Sequence, residues 1–505
     1  MSTAKPIPIP LIGTYNTRFA ESAVAPTSSG VVGIGIVGVM VVGSTTAASD
    51  KDQRFINCWP VTVKNSATQT ITPYMVKRPG FQAFSTPASG NVGNDIHIWL
   101  GNSSKVMSAF GSTNSTLYDG TTSQGSITGQ CTGITETILS GTAYLALSSS
   151  DNTAWYLPAG GALTKISDAD FPGNAGRTIT GTFAHMDGYA FIMDTSGRIY
   201  NSDLNSISSW TANNFASCNL FPDNGVAVIK HRNNIIGFGT ESMEVWFNAG
   251  NPAGSPLSRR DEACRRIGLI NANALTQLED LVAFVGTSEL GGLALYILDG
   301  FTPNRVSTPE IEAQLILATT SNISLSACKI MGRTFVVCIV GSATYVYCVE
   351  EGLWHEWNST IPLWQKMAGT AIGSSFVTYA VSTLKSAGKV YILNPSNFVF
   401  TDDSDAYTAV IQTALLDFNT SDRKFMDEVT IVGDVATSTS DLTISYSDDD
   451  YQTFTVWGTV DLSSSAKRRL SRGGAFRRRA MKLSHSANTS MRLQRMDIKL
   501  RGGTA

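Results

Sequence analysis

At 505 residues the chain can hold two or three domains and bury a large core. Only 15% of its residues are charged, against about 25% in an average soluble protein, which argues against a solitary, highly soluble enzyme. Ser, Thr, Gly and Asn fill the gap, a mix that suits short strands joined by turns, either in a plain Ser/Thr-rich β-protein or on a surface covered by neighbouring subunits. The net charge is −3 and unevenly spread. From Ala466 onward twelve Lys or Arg meet one acid, Asp497, and the preceding chain carries 25 basic and 39 acidic residues. Such asymmetry predicts that the basic end meets something acidic.

Met1–Pro10 lacks the charged start and apolar core of a signal peptide. Gly30–Gly43 is the one long apolar run. At 14 residues, broken by glycines, it is too short for a membrane helix and reads as a buried or assembly-covered β-hairpin, with a membrane-touching arm or disorder as alternatives. Residues 1–90 read as an N-terminal arm with a small β-layer, and Lys77-Arg78-Pro79-Gly80-Phe81 reads as the turn that closes it.

Residues 91–400 carry a loose repeat of 40–50 residues, one signature of a β-propeller. First strands are expected near Ile96, Ala143, Phe183, Val226, Ala274, Leu325 and Ala371. Outer partners are expected at Thr153–Leu157, Ile199–Tyr200, Glu244–Phe247, Leu293–Leu298, Thr344–Val349 and Lys389–Leu393. Turn signals recur at Asp119-Gly120, Asp187-Gly188, Ser196-Gly197, Asn233-Asn234 and Asp299-Gly300. A short helix is predicted over Thr308–Leu317, with Thr308 as N-cap, Pro309 at N1 and Glu310 and Glu312 in the first turn. Residues 401–505 read as a C-terminal β-domain with longer strands at Ala409–Phe418, Phe425–Val432, Asp441–Ser447 and Met491–Leu500. The expected fold is therefore all-β: a propeller of six or seven blades, with a small β-sandwich-like layer from the chain termini.

Chemistry-bearing motifs are sparse. Gly33-Ile34-Gly35-Ile36-Val37-Gly38 matches a dinucleotide fingerprint, but the β-branched run after it is not the helix start that a pyrophosphate needs. The five histidines and seven cysteines show no zinc spacing, and no nucleophile elbow or P-loop occurs. The cysteines, odd in number, read as reduced thiols of a chain made in a cytosol. No catalytic residue, cofactor or metal is expected. Ser447, Asp449, Thr453 and Phe454 resemble an Asp box, a structural hairpin in which the carboxylate ties backbone N–H groups. Lys467, Arg468, Arg469, Arg472, Arg477, Arg478, Arg479 and Lys482 form a basic strip that faces a neighbouring subunit, solvent or DNA. Trp354, Trp357 and Trp364 form a dense Trp cluster, read as core between blades or as a sugar platform.

Three stretches, in order, resemble the packaged-DNA stabilisation or tail-hub (nozzle) family of short-tailed bacteriophages. The first is Gln53-Arg54-Phe55-Ile56-Asn57-Cys58-Trp59-Pro60 with Lys77-Arg78-Pro79-Gly80-Phe81. The second runs from Glu244-Val245-Trp246 through Arg265–Leu269 and Leu295–Gly300 to Arg305-Val306-Ser307-Thr308-Pro309-Glu310-Ile311-Glu312. The third is Leu442–Asp449 followed by the arginine-rich strand. The uncharged stretch Ser22–Ala48, Tyr451 in place of the box glycine, and Phe476 where a Trp often stands depart from the family pattern. The resemblance implies a structural virion protein of the tail, assembled in the host cytoplasm. It implies a homo-oligomer, a sixfold ring below the portal and its adaptor, which extends the DNA channel and retains the genome until ejection. Adaptor or connector proteins, tail fibres or spikes, and genomic double-stranded DNA are the implied partners, without stable membrane insertion. A receptor-binding or glycan-cleaving tail propeller is the alternative.

Overall fold

The structure is a computed structural model that describes residues 30–35, 53–64, 71–287, 291–372, 375–418, 420–464 and 468–503. It divides into two compact units. Unit 1 comprises residues 1–80, 353–360 and 398–505, and unit 2 comprises residues 81–352 and 361–397. The chain thus passes between the units four times.

Unit 2 is a ring of seven blades, each an antiparallel meander of short strands. Two-residue turns set the meanders. At Asp187-Gly188 both residues have positive φ, which matches the twist of the flanking strands Ile179–Met186 and Tyr189–Asp194. The inner strands are Gly93–Trp99, Cys131–Leu139, Ile179–Met186, Gly225–His231, Leu275–Leu278, Ile323–Ile330 and Lys366–Ile372. The expected outer partners are the third strands of their blades, and a second apolar strand lies between them and the inner ones. Ala143 proves to start a second strand, Thr142–Ser149; the inner strand of that blade is Cys131–Leu139, whose Thr and Glu residues mask its strand pattern.

The blades cannot hide both faces alone, so the core lies between neighbours. Trp99, Met107 and Leu117 of blade one pack with Leu145, Leu147 and Leu157 of blade two. Phe238 of blade four meets Phe284 of blade five at 5.1 Å between ring centroids. The ring closes when Val377, Tyr379 and Val381 of blade seven pack against Ile96, Ile98 and Phe110 of blade one. The outermost strand of blade seven is Gln82–Ser85, which precedes blade one in the chain and pairs with Val390–Leu393. The predicted helix forms over Pro309–Leu317 after blade five, with Thr308 at its N-cap.

Unit 1 is a two-layer β-structure. Its first sheet runs Cys58–Lys64, Ile71–Lys77, Arg492–Gly502, Lys424–Gly433 and Arg469–Ser471, with Gly30–Gly35 also paired to Arg492–Gly502. The second layer runs Leu353–Trp357, Arg54–Ile56, Ala409–Gln412, Ala480–His485, Asp441–Ser447 and Thr455–Asp461. Met426, Val429, Met496 and Ile498 of the first pack with Ile411, Leu442, Ile444 and Leu483 of the second. Residues 36–43 of the expected apolar hairpin lie outside the described residues. All seven cysteines are free and buried, and burial pushes the thiols of Cys58, Cys131, Cys328 and Cys338 up, so they pack as small apolar groups.

Phe284→Ala is expected to lower stability by about 3–5 kcal/mol, because the ring of Phe238 loses its partner across the blade junction and that of Tyr296 its partner within blade five. Leu204→Ala, at a side chain that is 58% exposed, is expected to change it by less than about 0.5 kcal/mol. Denaturant titration of both variants checks the contrast.

Candidate functional site

The propeller encloses a cavity of about 760 Å³ lined by residues from all seven inner strands. Each inner strand pairs on one side only, so its free backbone edge faces this cavity and needs polar partners there. The ionisable lining is mixed: Asp95, Glu136 and Glu279 against Lys230 and Lys366. Several of these groups are already engaged. Asp95 accepts from the backbone of Ile96 and Ile134 at 2.9 and 2.8 Å. Glu136 accepts from Leu100 and Gly101 at 2.8 and 2.6 Å. Burial acts against its charge, but those bonds and His97 hold the carboxyl below its usual range. Lys366 donates to Asn273 at 2.8 Å, and Glu279 pairs with Lys329. The size is that of a small-molecule pocket. Among the described residues no group of His, Cys, Asp and Glu gathers to hold a metal ion.

The basic strip of unit 1 separates into distinct roles. Arg468 turns inward and donates to the carbonyls of Gly433, Asp434 and Leu462. Arg479 is buried, paired with Asp448 at 2.7 Å through both Nε and Nη2, and stacked on Tyr446 and Phe476. These two are structural rather than surface-facing. Arg478 pairs with Asp450 at 3.1 Å, Arg469 reaches Glu428 at 4.0 Å, and Lys482 lies over Phe454 at 5.0 Å. Arg472 and Arg477 are exposed and meet no carboxylate among the described residues; Arg477 donates to the Ser421 carbonyl at 2.8 Å. Lys467 lies outside the described residues. Much of the basic end is therefore neutralised by acids of its own unit, including Arg501–Asp427 and Lys499–Glu428.

The Asp-box-like residues join the strands Asp441–Ser447 and Thr455–Asp461. Asp449 accepts from the Thr453 side chain and backbone and from Ser447, which holds its carboxyl down at about 2. Asp450 and Tyr451 carry positive φ, so Tyr451 occupies a conformation that favours glycine.

Sequence reading missed the most constrained site of unit 1. Lys77–Phe81 is not a surface turn. Every residue in it is buried, and it follows from the end of the strand Ile71–Lys77 without a turn. The Arg78 guanidinium donates to Asn57 at 2.8 Å, to Pro79 at 3.2 Å and to both oxygens of Asp402. It stacks on Tyr407 at 3.9 Å and lies 5.5 Å from Trp357, and the Tyr407 hydroxyl donates to the Arg78 carbonyl. Asn57, at φ 55°, bonds to Asn358 and Thr408 as well. A side chain at Gly80 would collide with the Thr401 carbonyl. Beside it Lys77 donates to the Ala487 carbonyl at 2.8 Å. Burial and the adjacent Arg78 push the Lys77 ammonium down to about 7, against the pull of Asp402.

The other motif residues are structural too. Glu244, fully buried, accepts from the Leu220 backbone at 2.8 Å and lies 3.4 Å from Arg259. Glu312 binds Arg305 and Ser307, tying the helix start to blade five. Of the three Trp expected to cluster, Trp357 belongs to unit 1 and Trp364 to unit 2 and both are buried, while Trp354, in unit 1, is half-buried.

A family model described as "Bacteriophage P22 Gp10, beta-propeller" matches residues 44–367. No curated protein matches the chain. Among solved structures, the crystal structure of BamB from Moraxella catarrhalis is 11% identical, covers 66% of this chain and 95% of its own, and has a TM-score of 0.36. The crystal structure of BBS1N in complex with ARL6DN, soaked with lead, is 13% identical, with 62% and 96% covered and a TM-score of 0.37.

Asp402→Ala leaves Arg78 charged and buried, and is expected to cost about 3–5 kcal/mol of unfolding free energy. Lys77 gives a pH-dependent counterpart. The unfolded lysine keeps its proton to 10.5 and the folded one to about 7. Between those values the unfolded chain binds more protons, so stability rises with pH there. Lys77→Met is expected to raise the melting temperature most at or below pH 7, and to lose that advantage toward pH 10. Thermal melts across this range check the sign.

Proposed function

The chain belongs to the bacteriophage P22 Gp10 β-propeller family, and on that premise we propose that it is a structural tail-hub protein of the virion. It acts without catalysis, forms a ring below the portal and its adaptor, extends the DNA channel and retains packaged DNA until ejection. The family match over residues 44–367 carries this reading.

The geometry supports it in two ways. First, a cavity of about 760 Å³ is ligand-sized, with mixed and largely engaged charges. One propeller therefore offers no conduit for a duplex, and a DNA channel needs several copies around an axis. A cyclic contact of this kind is heterologous, with different patches meeting around a closed ring. Second, the blades are close-packed against one another and the ring is closed by a strand from the other end of the propeller sequence. Close-packed interiors have low compressibility, which suits a wall that bears pressure from confined DNA. The units also differ in charge. Unit 1 holds 21 basic and 18 acidic residues, and unit 2 holds 16 and 22. Opposed charge of this kind sets register between copies. Adaptor proteins above and fibres or spikes around the ring complete the proposed partners.

Particles assembled without this chain are expected to fill with DNA and then lose it. Cryo-electron microscopy of complete particles, with no symmetry imposed at the tail axis, is expected to place copies of the chain in an axial ring. Particles that keep their DNA without the chain, or copies confined to peripheral appendages, overturn the role.

A further inference from the structure

Two arginines of unit 1 flank one exposed ring, and two more lie on the segment that runs beside its strand. Phe425, on the strand Lys424–Gly433, is 36% exposed, unlike the buried neighbours Lys424 and Met426. Arg423 and Arg501 flank it, with guanidinium carbons 5.8 and 5.7 Å from its centroid. The adjacent segment brings two more. Ala475 pairs directly with Phe425, the backbone N–H of Gly473 donates to Met426 and that of Arg472 to Asp427, and Arg477 follows one residue after the paired Phe476. Arg423, Arg472 and Arg477 are exposed and meet no carboxylate among the described residues. Arg501 is paired with Asp427 at 2.7 and 2.8 Å.

The charge of this face survives a count of its acids. Asp417 and Asp422 act on the buried Lys424, and Asp427 is taken by Arg501. Five cations thus stand against three carboxylates, and the three that meet no carboxylate among the described residues are all exposed. Gly473 and Gly474 interrupt the row, and nothing lies within 4 Å of where a side chain on Gly474 would start. A partner's backbone can approach closely there.

We propose that this face, built from Phe425, Arg423, Arg472, Arg477 and Arg501, docks the phosphate backbone of double-stranded DNA. The inference rests on the hub role above and assigns that role a contact surface. Guanidinium forks match phosphate geometry, and they hold it without reading sequence. Phe425 supplies an apolar patch against the sugar edge and keeps its two flanking arginines extended. The contact is few-pronged and salt-sensitive, so it retains DNA without locking its register.

The test is binding of the full chain to a short fluorescent duplex of arbitrary sequence, read by anisotropy over a salt series. The logarithm of affinity is expected to fall linearly with the logarithm of salt. The triple variant R423Q/R472Q/R477Q is expected to reduce that slope by about 0.9 for each lost phosphate contact, roughly 2–3 in all. The matching Arg→Lys triple variant keeps the slope, and R198Q in the propeller leaves it unchanged. Absence of binding at low salt overturns the proposal, as does a slope that the triple Gln variant does not move. Salt-sensitive self-association that the Gln variant abolishes, without DNA binding, assigns the face to a second copy and also overturns it. The hub role is judged separately. If particles lacking the chain keep their DNA, the role itself fails; if they lose it while the slope stays fixed, only this surface fails.

Discussion

Unit 1 is organised around a guanidinium that has to be satisfied inside the protein. Arg78 is wholly buried, and its donors go to Asn57, Pro79 and Asp402. Asp402 is 324 residues away in sequence. Burial works against the charge, and Asp402 and Tyr407 hold it in place. Breaking such a pair leaves an uncompensated charge, so every segment that supplies a partner is fixed by the same requirement. Asn57 carries the constraint further, because its amide and backbone also engage Glu356, Asn358 and Thr408. Three stretches of chain that are remote in sequence thereby become one unit. The apolar core between its layers then packs around a frame already set by polar groups of fixed direction.

Unit 2 obeys a different constraint. Its sheets gain stability chiefly by hiding faces against neighbours, and the buried Glu244 is met locally by Leu220 and Arg259. A blade added to a closed ring has two neighbours, while the same blade at an open end has one. Closure by Gln82–Ser85 on Val390–Leu393 removes the open end. The polar edges that remain line a cavity of mixed charge, and this fits a wall better than a conduit.

The propeller was legible because its period comes from local rules. Short alternating runs and Gly or Asn turns at positive φ appear in the sequence itself, and six of the seven expected first strands lie on inner strands. The exception, blade two, starts with Cys-Thr-Gly-Ile-Thr-Glu-Thr-Ile-Leu, where Thr135 and Glu136 serve the cavity side and dilute the apolar alternation. The site was less legible. Arg468, Arg472, Arg477 and Arg479 are alike in sequence, and breaks between short strands, one with Arg472 at positive φ, turn two inward and two outward. Lys77-Arg78-Pro79-Gly80 has the composition of a turn, and only the distant Asp402 makes it core. The basic end likewise looked unmatched when charges were summed along the chain. Folding places fourteen acids of the C-terminal segment in the same unit, where several take those arginines.

The position of Gln82–Ser85 also dictates when the molecule can finish folding. That strand leaves the ribosome before any blade, yet its partner Val390–Leu393 is among the last parts of the ring to be made. At about 5–20 residues per second, roughly 15–60 seconds separate the two. Unit 1 waits longer still, because Ile71–Lys77 pairs with Arg492–Gly502, which is made after the last blade. Throughout synthesis the nascent chain therefore exposes unpaired edges that could join a neighbouring nascent chain. Synthesis of Val390–Leu393 is thus the event that permits the ring to close, and synthesis of Arg492–Gly502 the later one that permits unit 1 to assemble.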